Sequence, residues 1–340
     1  MSTDIREQFI ETEPVEQQAF FWTAMYYYTA KAAIDRHGQE GERVIRQAIR
    51  DYGRERGRRR RNRVLKKGLP INLVSLFTNG DLNGDNRFES DASRNVLTEE
   101  CRRHFVTRCP DAEMWERLGG LDIGSIYCEE VHHYLYGCFD DAVQVNLCET
   151  LTNGGDICRF YINLRQANRK PQVEDDYVPQ VWEDCEPDGI ACNATMFSLF
   201  YYHLATAIKN KLDEETLLEG IRNFALQRGR RLRELDRRAG RTPSARTLIE
   251  QGDLFLDPRC KKDVSYKDDM NAEVTVHRCV FAEVCNCHNA GAEGCLYCSR
   301  IYSTMCETYC PELTASVPQC MCGGDDSCHI RFFTKGTNTQ

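Results

Sequence analysis

The sequence predicts an α+β protein made of two tandem copies of one module, each with N-terminal helices followed by an antiparallel sheet. The first supporting observation is a repeat at one spacing: Cys109, Tyr127-Cys128 and Cys158 return 170 positions later as Cys279, Tyr297-Cys298 and Cys328. The second is that Arg56-Gly57-Arg58-Arg59 returns as Arg228-Gly229-Arg230-Arg231. Such repeats indicate a duplicated unit of roughly 150 residues, a usual size for a domain.

The module boundaries follow from this repeat. We predict a first module over residues 1–165 and a second over residues 193–340, packed with pseudo-twofold symmetry. Between them, residues 166–192 contain three prolines among acidic residues. This composition is typical of a linker.

The N-terminal part of each module shows helical periodicity. Apolar residues at helical spacing predict a helix over 15–34, which Gly38 ends, and a longer helix over 40–65. The second helix carries the arginine-rich run 54–63, interpreted as a solvated face paired with acidic residues, with a basic wall facing an anionic substrate as the alternative. Residues 81–86 are interpreted as a polar turn. The helices of the second module are predicted over 196–208 and 214–238.

The C-terminal part of each module shows strand patterns around one further helix. Propensities predict two strands between residues 87 and 108, a helix over 123–139, and strands over 143–150 and 158–164. In the second module, residues 273–277 alternate between apolar and polar side chains. A period of two is the pattern of a half-buried strand, so both modules are expected to end in a sheet.

Composition limits the classes of partner. The net charge of −8 argues against nucleic acid, and no apolar run approaches the roughly 20 residues that cross a membrane. The N-terminal residues Met1 to Arg6 are polar and do not resemble a secretion signal. We therefore predict a soluble, cytoplasmic protein whose partner is a small-molecule substrate, with a homo-oligomer left open.

Cysteine usage is the most unusual feature of the composition. Of the 19 cysteines, six lie between Cys101 and Cys158 and eleven lie between Cys260 and Cys328. A secreted disulfide scaffold would need an export signal, and disulfides rarely persist in the cytosol. Reduced thiols that serve chemistry or bind a metal are the favoured interpretation.

Three stretches of the first module resemble a known family. Residues 106–113, Tyr127-Cys128-Glu129 and residues 155–160 are similar to the L-2-amino-thiazoline-4-carboxylic acid hydrolase family, which commonly carries Asp where this chain has Val131. The resemblance implies a hydrolase that cleaves a carbon–nitrogen bond of a cyclic amidine or thiazoline-like ring. The end of each module also resembles the vinyl-four-reductase domain, in which paired cysteines hold a structural zinc. That second resemblance implies the alternative, a non-catalytic ligand-sensing or metal-sensing protein.

Candidate catalytic residues come from the repeated positions of the first module. Hydrolysis needs an activated nucleophile, a proton carrier and a group that stabilises developing charge. Cys109, predicted at a strand end beside a helix start, is a candidate nucleophile or ligand. Cys128 has His132 one helical turn away as a candidate base, and Asp156, next to Cys158, is a candidate for orienting either group. The alternative for each thiol is a small buried hydrophobic residue.

Candidate metal ligands come from the second module. The spacings Cys285-x-Cys287 and Cys295-x-x-Cys298 are typical of tetrahedral zinc sites, and an iron–sulfur cluster uses the same ligand type. Cys320 and Cys328 flank a predicted turn. The candidate ligands are Cys279, Cys295, Cys298, Cys320 and Cys328, and the sequence leaves the choice among them open. Because the residues beside these cysteines differ from those of the first module, the first module is predicted to be the catalytic copy.

Overall fold

The structure is a computed structural model that describes residues 13–81, 87–169, 178, 180–183 and 188–336. It confirms the predicted α+β fold with a tandem duplication: helices followed by an antiparallel sheet occur twice along the chain. The helices of the first module are α1 (Pro14–His37), α2 (Gln39–Lys66), α3 (Leu73–Thr78), α4 (Pro110–Arg117) and α5 (Leu121–Phe139). Its strands are β1 (Glu89–Ser90), β2 (Val96–Leu97), β3 (Cys101–Arg108), β4 (Val143–Glu149) and β5 (Cys158–Leu164).

The second module repeats this order. Its helices are α6 (Gly189–Lys211), α7 (Glu214–Arg238), α8 (Ala245–Gln251), α9 (Val280–Cys287) and α10 (Gly291–Tyr309). Its strands are β6 (Lys261–Tyr266), β7 (Ala272–Arg278), β8 (Leu313–Gln319) and β9 (Cys328–Thr334). Helix α6 begins within the predicted linker because Asp188 caps it, accepting hydrogen bonds from the backbone N–H groups of Ile190 and Ala191. Residues 170–177, 179 and 184–187 of that linker lie outside the described residues.

The two sheets share one topology. The strand order is β1-β3-β5-β4 in the first sheet, with β2 also paired to β3, and β6-β7-β9-β8 in the second, and every pair is antiparallel. The register is also shared, because Val106 lies opposite Cys158 just as Val276 lies opposite Cys328. A register is fixed when one sheet face is buried. The duplication therefore places equivalent cysteines at equivalent points of the two sheets.

The two modules bury one common core. Helix α1 packs against α6 and α7 of the second module as well as against α2, and α6 packs against α2. Equivalent hydrogen bonds anchor these helices: the Tyr26 hydroxyl donates to the carbonyl of Ile123 over 2.6 Å, and the Tyr201 hydroxyl donates to that of Glu293 over 2.7 Å. The largest cluster of buried apolar residues contains side chains of both modules. Each module thus contributes to the core of the other.

A glycine in each module sets the distance between the helices that carry the site. A Cβ atom at Gly57 would lie 2.3 Å from the backbone oxygen of Leu135, and one at Gly229 would lie 2.2 Å from that of Met305. Only glycine allows such an approach. It brings α2 close to α5 in the first module and α7 close to α10 in the second.

The repeated arginines point inward, so the prediction of a solvated face is wrong for part of the run. Arg56 is only 3 % exposed, and Arg59 and Arg60 are also buried. A buried guanidinium needs a partner, and Arg56 has one in Asp81, at 2.8 Å from its Nη2. Asp81 opens the segment predicted as a polar turn, of which residues 82–86 lie outside the described residues. In the described part of the chain, no helix is both long and apolar enough to cross a membrane.

Candidate functional site

The structure brings the three repeated thiols of the first module together. Cys109 lies between β3 and α4, Cys128 lies on α5, and Cys158 begins β5. Burial raises the pKa of Cys109 well above its ordinary value, and the nearby Asp111, Cys128 and Cys158 raise it further. The three thiols are therefore close enough to influence one another's pKa within one partly buried site, which we call the first-module thiol site.

Each of these thiols also faces a hydrogen-bond donor. The backbone N–H of Ala112, in the first turn of α4, lowers the pKa of Cys109 against the effect of burial. The backbone N–H of Leu151 donates to the Sγ atom of Cys158 over 3.3 Å. Burial raises the pKa of Cys128 to about 12, although the hydrogen bond with Thr152 lowers it. The thiols are therefore protonated at neutral pH but are placed where donors stabilise negative charge.

Asp111 is the acidic residue that sequence reasoning missed at this site. Its Oδ2 atom lies 4.0 Å from the Sγ atom of Cys109, and its charge also raises the pKa of Cys128. The signal in the sequence was its place two residues after Cys109, in the first turn of a helix. The equivalent residue of the second module is Phe281. A carboxylate facing the thiols is therefore a feature that Phe281 does not reproduce.

The two other predicted catalytic residues occupy different surroundings. His132 packs edge-on against Phe160, with ring centroids 4.9 Å apart, and burial together with Arg56 lowers its pKa to about 3. Among the described residues, no hydrogen bond joins His132 to Cys128. Asp156 is exposed, and its backbone N–H donates to the Oε1 atom of Glu149 over 3.2 Å. The structure therefore places neither side chain in hydrogen-bond contact with the thiols, and their catalytic roles stay predictions.

A buried ion pair lies beside the first-module thiol site. The Nε atom of Arg56 donates to Asp81 over 2.9 Å, and its Nη1 atom donates to the hydroxyl of Tyr127 over 3.4 Å. Burial opposes ionisation of Asp81, but Arg56 and Arg60 lower its pKa overall. Tyr127 precedes Cys128 on α5. The pair therefore connects the arginine repeat to the helix that carries the second thiol, a link that helical periodicity alone does not reveal.

The second module gathers more thiols at the equivalent place. The Sγ atoms of Cys298, Cys320 and Cys322 all lie within 4.8 Å of one another, and this group could hold a metal ion. Hydrogen bonds from Cys298, Cys322 and Cys328 lower the pKa of Cys320. Cys295 interacts with Cys320 as well. We call the group the second-module thiol cluster, and define it by Cys285, Cys295, Cys298, Cys320, Cys322 and Cys328.

The cluster differs in part from the predicted ligand set. Of the predicted ligands, Cys298 and Cys320 have Sγ atoms within 4.8 Å of each other, and Cys295 and Cys328 lie beside Cys320. Cys322 belongs to the central three although sequence reasoning left it out, and its signal was the close spacing Cys320-x-Cys322. Cys279 is outside the central three, but its charge acts on Cys298.

Glycine again makes room for the cluster. A Cβ atom at Gly294 would lie 2.7 Å from the Sγ atom of Cys322, and one at Gly124 in the first module would lie 2.4 Å from the Trp115 ring. The two glycines are equivalent residues of the repeat. Four cluster residues, Cys285, Cys295, Cys320 and Cys322, correspond to Trp115, Ser125, Thr150 and Thr152 in the first module.

A cavity of about 140 Å³ lies next to the cluster in the second module. Its wall includes Cys279, Cys298 and Cys328, the three repeated thiols, and the buried pair of Arg228 and Asp253. This pair corresponds to Arg56 and Asp81. The repeated residues of the second module therefore converge on one small, half-open cavity.

Comparisons with known proteins identify the family of both modules. The family model for L-2-amino-thiazoline-4-carboxylic acid hydrolase matches residues 15–162 and matches again over residues 191–332. Searches of curated proteins and of solved structures found no match. The resemblance to the vinyl-four-reductase domain stays a prediction. The two family matches, which together cover most of the chain, confirm that it belongs to the L-2-amino-thiazoline-4-carboxylic acid hydrolase family as a tandem duplication, which supports a hydrolase-like function on a small molecule.

Proposed function

We propose that the first module hydrolyses a carbon–nitrogen bond of a small cyclic amidine of the thiazoline type. The observation that carries the proposal is the position of the Asp111 carboxylate, 4.0 Å from the Cys109 thiol, inside a hydrolase-family module. A thiol beside a base and a helix N-terminus is a recognised arrangement for nucleophilic catalysis. The second module has Phe281 at the equivalent position, so the proposal assigns turnover to the first module.

Each residue of the site has a role in this proposal. Asp111 takes the proton of the Cys109 thiol as the sulfur attacks the amidine carbon of the ring. The backbone N–H of Ala112 stabilises the thiolate that forms. Cys128, whose pKa of about 12 keeps it protonated, donates a hydrogen bond toward the charge that develops on the substrate.

The proposed steps balance in atoms and protons. Attack of the sulfur forms a carbon–sulfur bond, the ring carbon–nitrogen bond breaks, and the departing nitrogen takes the proton from Asp111. Water then adds to the same carbon, Asp111 accepts its proton, and the Cys109 sulfur leaves and is reprotonated. The product is a ring-opened S-carbamoyl compound with a free amine, formed from one substrate and one water molecule.

The test is ring opening of L-2-amino-thiazoline-4-carboxylate by the full-length protein. Cys109→Ser should lower kcat by about 100-fold or more, because a serine hydroxyl is a much weaker nucleophile than a cysteine thiol at neutral pH. Cys148→Ser is the matched control, since Cys148 is an exposed thiol of the same module. Circular dichroism should show that both variants keep their fold. Full activity in Cys109→Ser would contradict the assignment of the nucleophile, and an inactive wild-type protein would contradict the proposed substrate.

We propose a second function for the second module: its thiol cluster binds a zinc ion. Sulfur atoms at roughly 2.3 Å from one tetrahedral zinc lie about 3.8 Å apart. The Sγ atoms of Cys298, Cys320 and Cys322 all lie within 4.8 Å of one another, a limit that allows this spacing. Cys285, Cys295 and Cys328 are adjacent candidates for a fourth ligand. An iron–sulfur cluster is the alternative with the same ligand type.

Metal analysis of protein purified without air tests this second function. About one zinc ion per chain is expected, and Cys298→Ser or Cys322→Ser should remove most of it. Cys310→Ser is the control, because Cys310 lies beyond the far end of α10. Visible absorption with bound iron would support the alternative cofactor. Protein with neither metal would contradict metal binding.

A further inference from the structure

A groove between the two modules contains none of the thiols described above. It lies where α6 of the second module packs against α2 of the first, and its volume is about 470 Å³. Val44 and Ala207 give part of its wall an apolar surface. The rest of the wall is polar or charged and consists of Arg43, Gln47, Arg50, Asp51, Tyr202, His203, Thr206, Asn210 and Lys211. We call it the α2–α6 groove.

The duplication provides an equivalent contact for comparison, where α1 packs against α7. There Arg36 joins the modules, because its Nη2 atom donates to Glu215 over 2.9 Å and its Nη1 atom donates to Glu219 over 3.2 Å. Lys31, also on α1, pairs with Asp35 over 2.7 Å. Both of these cations therefore have carboxylate partners within the chain, and in one case the partners come from the other module.

The cation is retained in the α2–α6 groove. Tyr26 and Tyr201 make equivalent hydrogen bonds, which aligns α1 with α6. Ten residues later, Lys211 therefore stands in the place of Arg36. A positive side chain thus ends both helices and faces the opposite module.

The carboxylates that would pair with this cation are absent. The arginine repeat aligns α2 with α7 in the same way. Three acidic residues of the α1–α7 contact are replaced in the α2–α6 groove, namely Glu215 by Arg43, Glu219 by Gln47 and Asp35 by Asn210. The groove therefore has amides and a guanidinium where the equivalent contact has three negative charges.

The ion pairs of the groove leave one cation without an acidic partner. Both arginines of its wall are paired, Arg43 with Glu40 over 2.9 Å and Arg50 with Glu130 over 2.7 Å. The aspartate of the wall is paired in turn with an arginine one turn away on α2. Among the residues that the structure describes, no carboxylate lies within ion-pair distance of Lys211. The positive charge of Lys211 is therefore available to an anion from solution.

Two further donors of the wall lack a hydrogen-bond partner in the described part of the chain. The Oγ1 atom of Thr206 is buried, and no atom accepts from it or donates to it. The side-chain amide of Asn210, one turn further along α6, makes no hydrogen bond either. A buried hydroxyl without a partner lowers stability by about 1–3 kcal/mol. A ligand with several acceptor oxygens would satisfy these donors together with Lys211.

We infer that the α2–α6 groove binds a small dicarboxylate, which supplies the two carboxylates that Glu215 and Glu219 supply at the equivalent contact. Those two carboxylates bind one guanidinium, so a short carbon chain is enough to join them. One carboxylate of the ligand pairs with Lys211 of α6, and the other faces Arg43 of α2. The carbon chain lies against the apolar part of the wall. The inference is independent of both proposed functions, because neither uses these residues.

Isothermal titration calorimetry of the full-length protein with glutarate, at low salt, tests the inference. One bound molecule per chain is expected. Lys211→Met should weaken the binding by about tenfold or more, because it removes the charge that has no other partner. Lys66→Met is the matched control, since Lys66 is an exposed lysine near the far end of α2, and it should bind glutarate as the wild type does.

A second variant copies the equivalent contact into the groove. The double variant Arg43→Glu, Gln47→Glu introduces the residues of α7, so Lys211 gains acidic partners within the chain. This set of residues is already accommodated between α1 and α7, so the fold should be kept, which circular dichroism checks. Glutarate binding should again weaken by about tenfold or more. Glutaramate, in which an amide replaces one carboxylate, should bind the wild type about tenfold more weakly than glutarate.

Three results would overturn the inference. The first is a wild-type chain that binds no glutarate, and the second is equal binding by the wild type, Lys211→Met and the double variant. The third is binding of inorganic phosphate as tight as that of glutarate, which would exclude selection of a dicarboxylate. Ring opening and zinc content are separate measurements. Failure of either proposed function would therefore leave the glutarate titrations unchanged.

Discussion

The first-module thiol site and the second-module thiol cluster occupy the same place in one duplicated fold. Beside Gly124 the first module packs the ring of Trp115, whereas beside Gly294 the second module packs Cys285 and Cys322. The glycines, the strand register and the three repeated thiols are shared. A large apolar ring and hydroxyl groups in one copy are therefore replaced by sulfur in the other, with the backbone preserved.

At two further equivalent positions, it is the first module that carries the more readily ionisable side chains. The first module has Asp111 and His132 where the second has Phe281 and Tyr302. At these equivalent positions, ionisable acid–base side chains therefore stand in one copy, and additional thiols stand in the other. A duplicated fold allows the two modules to differ in this way. Each copy must keep the residues that pack its core, but its site residues can change independently.

The largest expected effect comes from making the second module resemble the first. The triple variant Cys295→Ser, Cys320→Thr and Cys322→Thr introduces the residues of the first module and leaves too few thiols for a tetrahedral site. We expect zinc to fall from about one equivalent per chain to less than about a tenth, since structural zinc depends on its full ligand set. Metal analysis checks this, and undiminished zinc would place the metal elsewhere.

The next effect concerns Asp111, the proposed base of the first module. Asp111→Asn should lower kcat by roughly 10²–10⁴-fold, the usual contribution of a general base. Asp122→Asn is the control, because Asp122 is an exposed acid on α5. Steady-state kinetics with L-2-amino-thiazoline-4-carboxylate measures both. If Asp111→Asn kept full activity, the difference between Asp111 and Phe281 would have no catalytic meaning.

A smaller effect, equal in the two modules, tests the shared scaffold. Gly57→Ala and Gly229→Ala each place a Cβ against a backbone oxygen that cannot move aside, so each should lower the free energy of unfolding by about 2–3 kcal/mol. Gly137→Ala is the control, because nothing lies within 4 Å of its Cβ position in α5, and it should stabilise slightly. Chemical denaturation measures all three. Unequal losses would show that the helix contacts differ between modules.

The smallest effect is a dependence of stability on pH. Burial lowers the pKa of His132 to about 3, compared with about 6.5 in the unfolded chain. A depressed pKa contributes stability above pH 6.5, and this is lost as the pH falls toward 3. His132→Tyr, which introduces the counterpart Tyr302, should reduce the loss of stability between pH 6 and pH 4 by about 2 kcal/mol. Urea unfolding at several pH values measures this, and an unchanged pH dependence would contradict the burial of a neutral imidazole.

The helices and strands can be predicted from the sequence because the spacing of apolar residues along the chain is a local property. The helices of each module and the strands that carry Cys109 and Cys158 follow from local patterns and from the repeat. The sequence of α2 predicts solvated arginines because composition does not reveal that Asp81, 25 residues away, pairs with Arg56 in the interior. Asp111 and Cys322 were missed for the same reason. Their contacts depend on how α4, α5 and the turn Met321–Gly323 meet in three dimensions.

The crossing of helices between the modules has a consequence for how such a chain can evolve. Helix α1 packs against α7, and α6 packs against α2, so neither module buries its apolar residues by itself. One polypeptide therefore has the construction of an intertwined dimer whose subunits have been joined. In a true homodimer, a mutation would alter both equivalent sites at once. In this chain each site can change without the other. The second module can therefore carry a phenyl ring where the first has a carboxylate, and thiols where the first has hydroxyl groups.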